Sequence, residues 1–260
     1  MKYYVVDAFA EKVFEGNPAG VCVLEEWIDR EVMQKIAAEN NLSETAFVVK
    51  RDKEGEYDLK WFTPKAEIDL CGHATLGTAY IVSNYVDEGI EKMKFETLSG
   101  ILEVNRKGEL YEMDFPSRMP EDINPIEDIE GVMGAKPIEM SLSRDLFLVF
   151  ETEDEVRNLE PDFSKMLQME KGLGVIATAK GKDVDFVSRC FFPKLGVNED
   201  PVTGSAHSSL IPYWSRKLNK RELVARQLSK RGGMLYCTEE GDRVKISGKA
   251  VLYLIGDIKV

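Results

Sequence analysis

Gly72-His73-Ala74-Thr75-Leu76-Gly77-Thr78-Ala79-Tyr80-Ile81-Val82 is small or apolar on nearly every side. A helix with no polar face must be buried, so the spacing predicts a buried helix over residues 73–85, opened by Gly72, with a sheet wrapped around it. The flanking sequence supplies the strands. Upstream, residues 3–9 read as a strand, and Gly16-Asn17-Pro18-Ala19-Gly20 reads as a turn before the apolar Val21-Cys22-Val23-Leu24. Asp29 is placed to cap a helix whose apolar positions Val32, Met33, Ile36 and Ala37 fall at helical spacing and which ends near Asn40-Asn41. Strands follow over 45–49 and 57–63, the second stopped by Pro64. Downstream, residues 93–115 alternate around Ser99-Gly100 and Lys107-Gly108 as an antiparallel meander does.

The second half repeats this order. A strand at 146–150, a helix at 163–169, strands at 175–179 and 186–192, Pro193, a loop and a helix opened by Gly204 follow one another, and then strands return. Gly72 precedes Gly100 by the interval at which Gly204 precedes Gly232, and Phe62-Thr63-Pro64 answers Phe192-Pro193. The reading is an ancient duplication: an α+β protein of two pseudo-symmetric domains, each an antiparallel sheet or barrel curled around a central helix. Domains are expected over residues 1–117 and 118–260, with the last strand free to return to the first half. Residues 119–144 carry no readable motif and are expected to hold the connection. Pro212, about two turns into the second helix, predicts a kink or a break near Leu210.

Bulk chemistry narrows the function. Across 260 residues, 43% are hydrophobic and 31% charged, which describes a globular protein with a sizeable core. A net charge of -12 repels phosphate backbones, so no nucleic-acid partner is expected. Lys217, Lys220, Arg221, Arg226, Lys230 and Arg231 read either as a solvated helix face or as an anion patch. Cys22, Cys71, Cys190 and Cys237 form no CxxC pair and no zinc-ligand spacing with His73 and His207, so no metal is expected. With no signal-like N-terminus and no apolar run of membrane-spanning length, the expected location is the cytoplasm, with no membrane partner.

Three stretches carry more chemistry than a core requires. In Ser43-Glu44-Thr45-Ala46-Phe47, Glu44 sits at a strand start, where a carboxylate raised by burial could move a proton, or where it is simply an exposed turn residue. In Cys71-Gly72-His73-Ala74, His73 lies in the first turn of the buried helix, whose free N–H groups favour an anion and a neutral imidazole. Cys71 could be acidified by the same dipole, but no second thiol stands at the partner helix, so packing is the simpler reading. In Asp200-Pro201-Val202-Thr203-Gly204-Ser205-Ala206-His207, small residues would let a ligand approach the backbone, and Asp200 is either a second acid or base or a turn residue. His207 is read as structural. If the halves are related by an approximate twofold, the two helix starts converge on a small acid. No phosphate-binding loop, dinucleotide fingerprint or His-Glu-x-x-His occurs, so the chemistry is expected to need no cofactor.

Together Asp7-Ala8-Phe9, Gly16-Asn17-Pro18-Ala19-Gly20-Val21, Leu42-Ser43-Glu44-Thr45-Ala46-Phe47, Phe62-Thr63-Pro64, Cys71-Gly72-His73-Ala74-Thr75-Leu76, the Asp200–His207 stretch and Gln227-Leu228-Ser229-x-Arg231-Gly232-Gly233 resemble the phenazine-biosynthesis-like PhzF family. The resemblance runs in order from about residue 3 to 237. It implies the diaminopimelate-epimerase-like fold and an active site between two halves. It also implies a cofactor-free isomerase in which Glu44 is the general acid/base and His73, Asp200 and Ser205 line the site. Homodimers and a small carboxylate-bearing substrate are part of what it implies. Gly72, Ala74, Thr203, Gly204, Ser205 and Ala206 are the expected substrate-binding positions, Glu44, His73 and Asp200 the catalytic ones. An epimerase of a small amino or hydroxy acid and a non-catalytic small-acid binding module remain the alternatives.

Overall fold

The computed structural model describes residues 1–260. They form two units, Met1–Asp114 with Ser247–Val260, and Phe115–Ile246.

In the first unit the order is β1 (Lys2–Ala8), β2 (Asn17–Leu24), α1 (Arg30–Asn40), β3 (Glu44–Lys50), β4 (Glu56–Phe62), β5 (Glu67–Ile68), α2 (Gly72–Ile81), β6 (Lys92–Thr97), β7 (Gly100–Lys107) and β8 (Leu110–Pro116). The second unit runs β9 (Glu121–Asp122), α3 (Ile129–Met133), β10 (Glu139–Leu142), β11 (Leu146–Val149), α4 (Glu153–Arg157), α5 (Phe163–Leu167), β12 (Val175–Lys180), β13 (Phe186–Phe192), β14 (Val197–Asp200), α6 (His207–Leu218), β15 (Glu222–Gln227), β16 (Gly233–Glu240) and β17 (Arg243–Gly248). The chain ends in β18 (Ala250–Asp257), which pairs antiparallel with β1 from Lys2↔Asp257 to Ala8↔Ala250.

The duplication is visible in the pairing itself. In the first unit β1–β2 is antiparallel, β2–β3 parallel, β3–β4 and β4–β5 antiparallel, β4–β6 parallel and β6–β7 antiparallel. In the second, β10–β11, β11–β12, β12–β13, β13–β14, β13–β15 and β15–β16 repeat the same six relations in the same order. Gly100 and Gly232, the glycines matched by spacing, both adopt positive φ, 91° and 69°, where the strand after the central helix turns into the next. A side chain is disfavoured at such angles.

Local chemistry explains the elements. Asp29 caps α1 by accepting from the Glu31 N–H at 2.7 Å, and Met33, Ile36 and Ala37 turn inward onto Cys22, Phe47 and Phe62. α2 is buried over all of His73–Ala79. It lies against β1, β2, β3 and β18, and a Cβ added at Gly77 would stand 3.6 Å from Val6, so the helix runs close to the sheet.

Three expectations are corrected. The turn read at 16–20 is strand from Asn17 onward, with the reversal at 9–16, where the Phe14 N–H bonds the Asp7 carboxylate at 2.8 Å. Residues 119–144 are not a bare connection: Ile129, Val132 and Met133 belong to the second unit's core, with Ile123 and Ile126 packed on it. α6 does not break near Leu210. It follows a 3-10 turn at Gly204–Ala206 and continues through Pro212. A proline removes the donor that would bond the carbonyl four residues back, and here that carbonyl, of Ser208, accepts the Arg118 N–H at 2.8 Å. No helix is long and apolar enough to cross a membrane.

Candidate active site

Glu44 is the first residue of β3 and His73 the second of α2. Their side chains meet, with His73 Nε2 3.0 Å from Glu44 Oε2. Only 16% of the Glu44 side chain and 8% of the His73 side chain is exposed. The ring N–H does not line up on Oε2, which has no in-line hydrogen-bond partner, so the contact is an ion pair of close approach. On the ring's other nitrogen, the Asn17 side-chain amide lies 3.2 Å and Cys71 Sγ 3.5 Å away. A side-chain amide can offer either end. With its nitrogen inward Asn17 donates to a neutral ring, and turned over it accepts a hydrogen bond from imidazolium.

Two sequence expectations about charge are reversed. Burial pushes the Glu44 carboxyl up, but the His73 charge beside it outweighs burial and holds Glu44 below the usual carboxylate range. Burial disfavours the His73 cation, yet the neighbouring Cys71 and Glu44 groups raise its pKa well above the ordinary histidine value. Of those two, the Glu44 charge is the operative one, because Cys71 is itself a neutral thiol: burial, then Glu44, raises its pKa. The resting pair is carboxylate and imidazolium, against the neutral histidine expected from the helix dipole, because a full charge at 3.0 Å exceeds a helix-terminus partial charge. Gly72 is half-buried and Ala74 fully buried in the first turn of α2, where no side chain caps the helix.

The remaining expected residues gather in the second unit. Asp200 ends β14 and accepts the Thr203 hydroxyl at 2.5 Å. Gln227, fully buried at the end of β15, accepts the Thr203 N–H at 2.8 Å and donates to the Asp200 carbonyl at 2.7 Å. Ser229 donates to the Pro201 carbonyl at 2.7 Å and accepts the Gly232 N–H at 3.0 Å. The Gln227–Gly233 motif therefore shapes the Asp200–Thr203 loop. Gly204 and Ala206 are buried, and Ser205 is half-buried with its hydroxyl accepting from Arg144 Nη2 at 3.2 Å. Arg144 is held in turn by Asp145, to which it donates from Nε and Nη2 at 3.0 and 2.8 Å. Asn17 and Arg144 are the polar groups that motif reading overlooked.

His207 is structural, as read. Its Nδ1 bonds the Thr203 carbonyl at 2.9 Å, it lies beside the Phe186 ring, and burial pushes its pKa down to about 4. The unfolded chain therefore binds a proton between about pH 6.5 and 4 that the folded chain refuses, so stability is lost as pH falls through that window. The loss should approach about 3 kcal/mol at pH 4, read as a difference in the pH slope of urea unfolding between wild type and His207→Gln. Equal slopes would sink this assignment. Of the basic run only Lys217 lies on α6, paired to Glu139 at 2.6 Å; Lys220 follows the helix and pairs with Asp185 at 2.8 Å, Arg226 stands in β15, and Lys230 and Arg231 lie in the bend after it, so the helix-face reading is corrected.

Comparison with known proteins gives the family of this duplicated α+β chain. The model for "Phenazine biosynthesis-like protein" matches residues 6–256, and the chain belongs to this PhzF-like isomerase family. It is 48% identical to the "Uncharacterized isomerase PA2770" of Pseudomonas aeruginosa over 98% of this chain and 97% of that protein. The human "Phenazine biosynthesis-like domain-containing protein" is 38% identical, with 98% of each chain covered. A solved PhzF-family structure from Enterococcus faecalis superposes with a TM-score of 0.97 at 52% identity, covering 100% of this chain and 99% of that one. A hydroxyproline epimerase from Agrobacterium vitis, 9% identical with a TM-score of 0.64 over 98% and 91% of the two chains, shares the fold.

Proposed function

We propose that this isomerase moves a proton on a small carboxylate-bearing substrate, with Glu44 as the general base and acid and His73 as its charged partner. The observation that carries the reading is the Glu44–His73 contact of 3.0 Å at the start of a buried helix. Ionised and shielded, Glu44 can accept a proton from carbon without first losing one to water. His73 can then follow the charge, donating toward an enolate-like oxygen as the carboxylate is neutralised. The half-buried Gly72 and the uncapped first turn of α2 offer N–H groups to a carboxylate. In the second unit Asp200, Thr203, Gly204, Ser205 and Ala206 are the proposed residues, with Arg144, bound to Ser205, as a cationic group beside them. No cofactor enters this reading. The four unpaired cysteines suit a reducing, cytoplasmic setting, and the homodimer implied by the resemblance is part of the same proposal.

The test is solvent-proton uptake. Wild type and Glu44→Gln are incubated in deuterium oxide with a deproteinised extract of small metabolites, and mass spectrometry searches for label. Deuterium in a small carboxylic acid, appearing with wild type alone, is the expected result. Label of equal extent with both proteins would remove Glu44 from the mechanism, and label in neither would favour a binding module. Movement of a double bond marks the isomerase, whereas inversion at one labelled carbon marks an epimerase.

A further inference from the structure

The pairing of Glu44 with His73 leaves Cys71 unused, although its sulfur lies 3.5 Å from His73 Nδ1 and 4.0 Å from Nε2. One carboxylate oxygen of Glu44, one ring nitrogen of His73 and Sγ of Cys71 all stand within 4.8 Å of one another, and no other group of three such donors exists in the chain. Spacing in the sequence concealed it, because Glu44 lies 27 residues before Cys71 and approaches from a different element.

We propose that Glu44, Cys71 and His73 form a binding site for a thiophilic divalent cation of the zinc class, with a fourth position open to solvent or substrate. Zinc takes sulfur at about 2.3 Å and imidazole nitrogen or carboxylate oxygen at about 2.0–2.2 Å in tetrahedral array. Neighbouring donors around such an ion stand about 3.3–3.8 Å apart. Nε2 is already 3.0 Å from Oε2 and 4.0 Å from Sγ, each close to that spacing. Asn17 meets Nδ1 at 3.2 Å, the place from which a second-layer group orients a ligating imidazole.

Protons balance simply. Sγ–H and the Nε2 proton leave to water, the ion forms bonds to Sγ, Nε2 and Oε2, and no electron is transferred. Binding stands independently of the proposed function. Its effect on turnover rests on that reading: the ion would occupy the lone pair with which Glu44 takes a proton, so it would inhibit.

The experiment uses the full chain, freed of metal, with cobalt(II) and zinc(II) alone as probes. Cobalt should give a near-ultraviolet sulfur-to-metal band that saturates at one ion per chain, and zinc should displace it. Cys71→Ser should abolish the band and weaken zinc on the order of 100-fold or more by calorimetry, and Glu44→Gln should weaken zinc while keeping the band. Far-ultraviolet circular dichroism shows whether each variant is folded, and serine is a good helix N-cap. No saturable binding to wild type would overturn the proposal, as would a band that persists in Cys71→Ser. Metal binding without solvent-deuterium uptake would leave the site standing and count against the proton-transfer reading alone.

Discussion

Glu44→Gln should lower turnover by about 10²- to 10⁴-fold on the acid that takes up solvent deuterium, the usual range for losing a positioned general base. Glutamine keeps the shape of the side chain at the start of β3 and removes its ability to accept a proton. The same substitution strips His73 of the carboxylate 3.0 Å away, which has a second, thermodynamic signature. His73 has a folded pKa above its unfolded value, so its contribution to stability is complete below the unfolded value and is lost as pH rises through the folded one. Glu44 has a folded pKa below its unfolded value, so its contribution is complete above the unfolded value and is lost as pH falls through the folded one. Wild type should therefore exceed Glu44→Gln in stability most clearly between the lowered Glu44 value and the raised His73 value, and the two curves should converge on either side. Urea unfolding across pH, alongside the rate measurement, checks both. A variant that loses activity with no such window would place Glu44 in the chemistry and deny its charge coupling to His73.

The largest expected loss of stability belongs to Gln227→Leu. Gln227 is fully buried, and its amide satisfies the Thr203 N–H and the Asp200 carbonyl within one loop. Leucine fits the volume but returns neither bond. Each buried backbone group left unpaired costs about 1–3 kcal/mol, so the substitution should cost roughly 2–6 kcal/mol in urea unfolding. Because the Thr203 hydroxyl holds the Asp200 carboxylate, the loop should also loosen, seen as faster amide exchange over residues 200–204. A cost under about 1 kcal/mol with unchanged exchange would mean that water replaces the amide and that the Gln227 bonds do not shape the loop.

The central helices were legible because a segment with no polar side has only one place to go, and the repeat was legible because its glycines fall at a fixed interval. What escaped depended on contacts distant in sequence. Asn17, inside Gly16-Asn17-Pro18-Ala19-Gly20, looks like turn chemistry, yet it starts β2 and faces His73, 56 residues on. Arg144 sits where no periodicity flags a site, beside Ser205, 61 residues away. The protonation of Glu44 and His73 could not be read in advance, since burial and the helix dipole argue one way and a single contact across 29 residues argues the other. One signal was present and passed over: Thr152 and Glu155 have the spacing of a capping box, and they cap α4.

β18 carries a further consequence for how the molecule is made. Its partner β1 precedes it in the chain by most of the sequence, and the register runs from Lys2 with Asp257 to Ala8 with Ala250, with the Met1 amino group donating to the Ile258 carbonyl at 3.0 Å. The unit that holds Glu44 and His73 cannot complete its sheet until some 240 further residues have been translated. The earlier-made unit waits for a strand made after the whole of residues 115–246, so vectorial synthesis orders the two folding events opposite to their order in the chain.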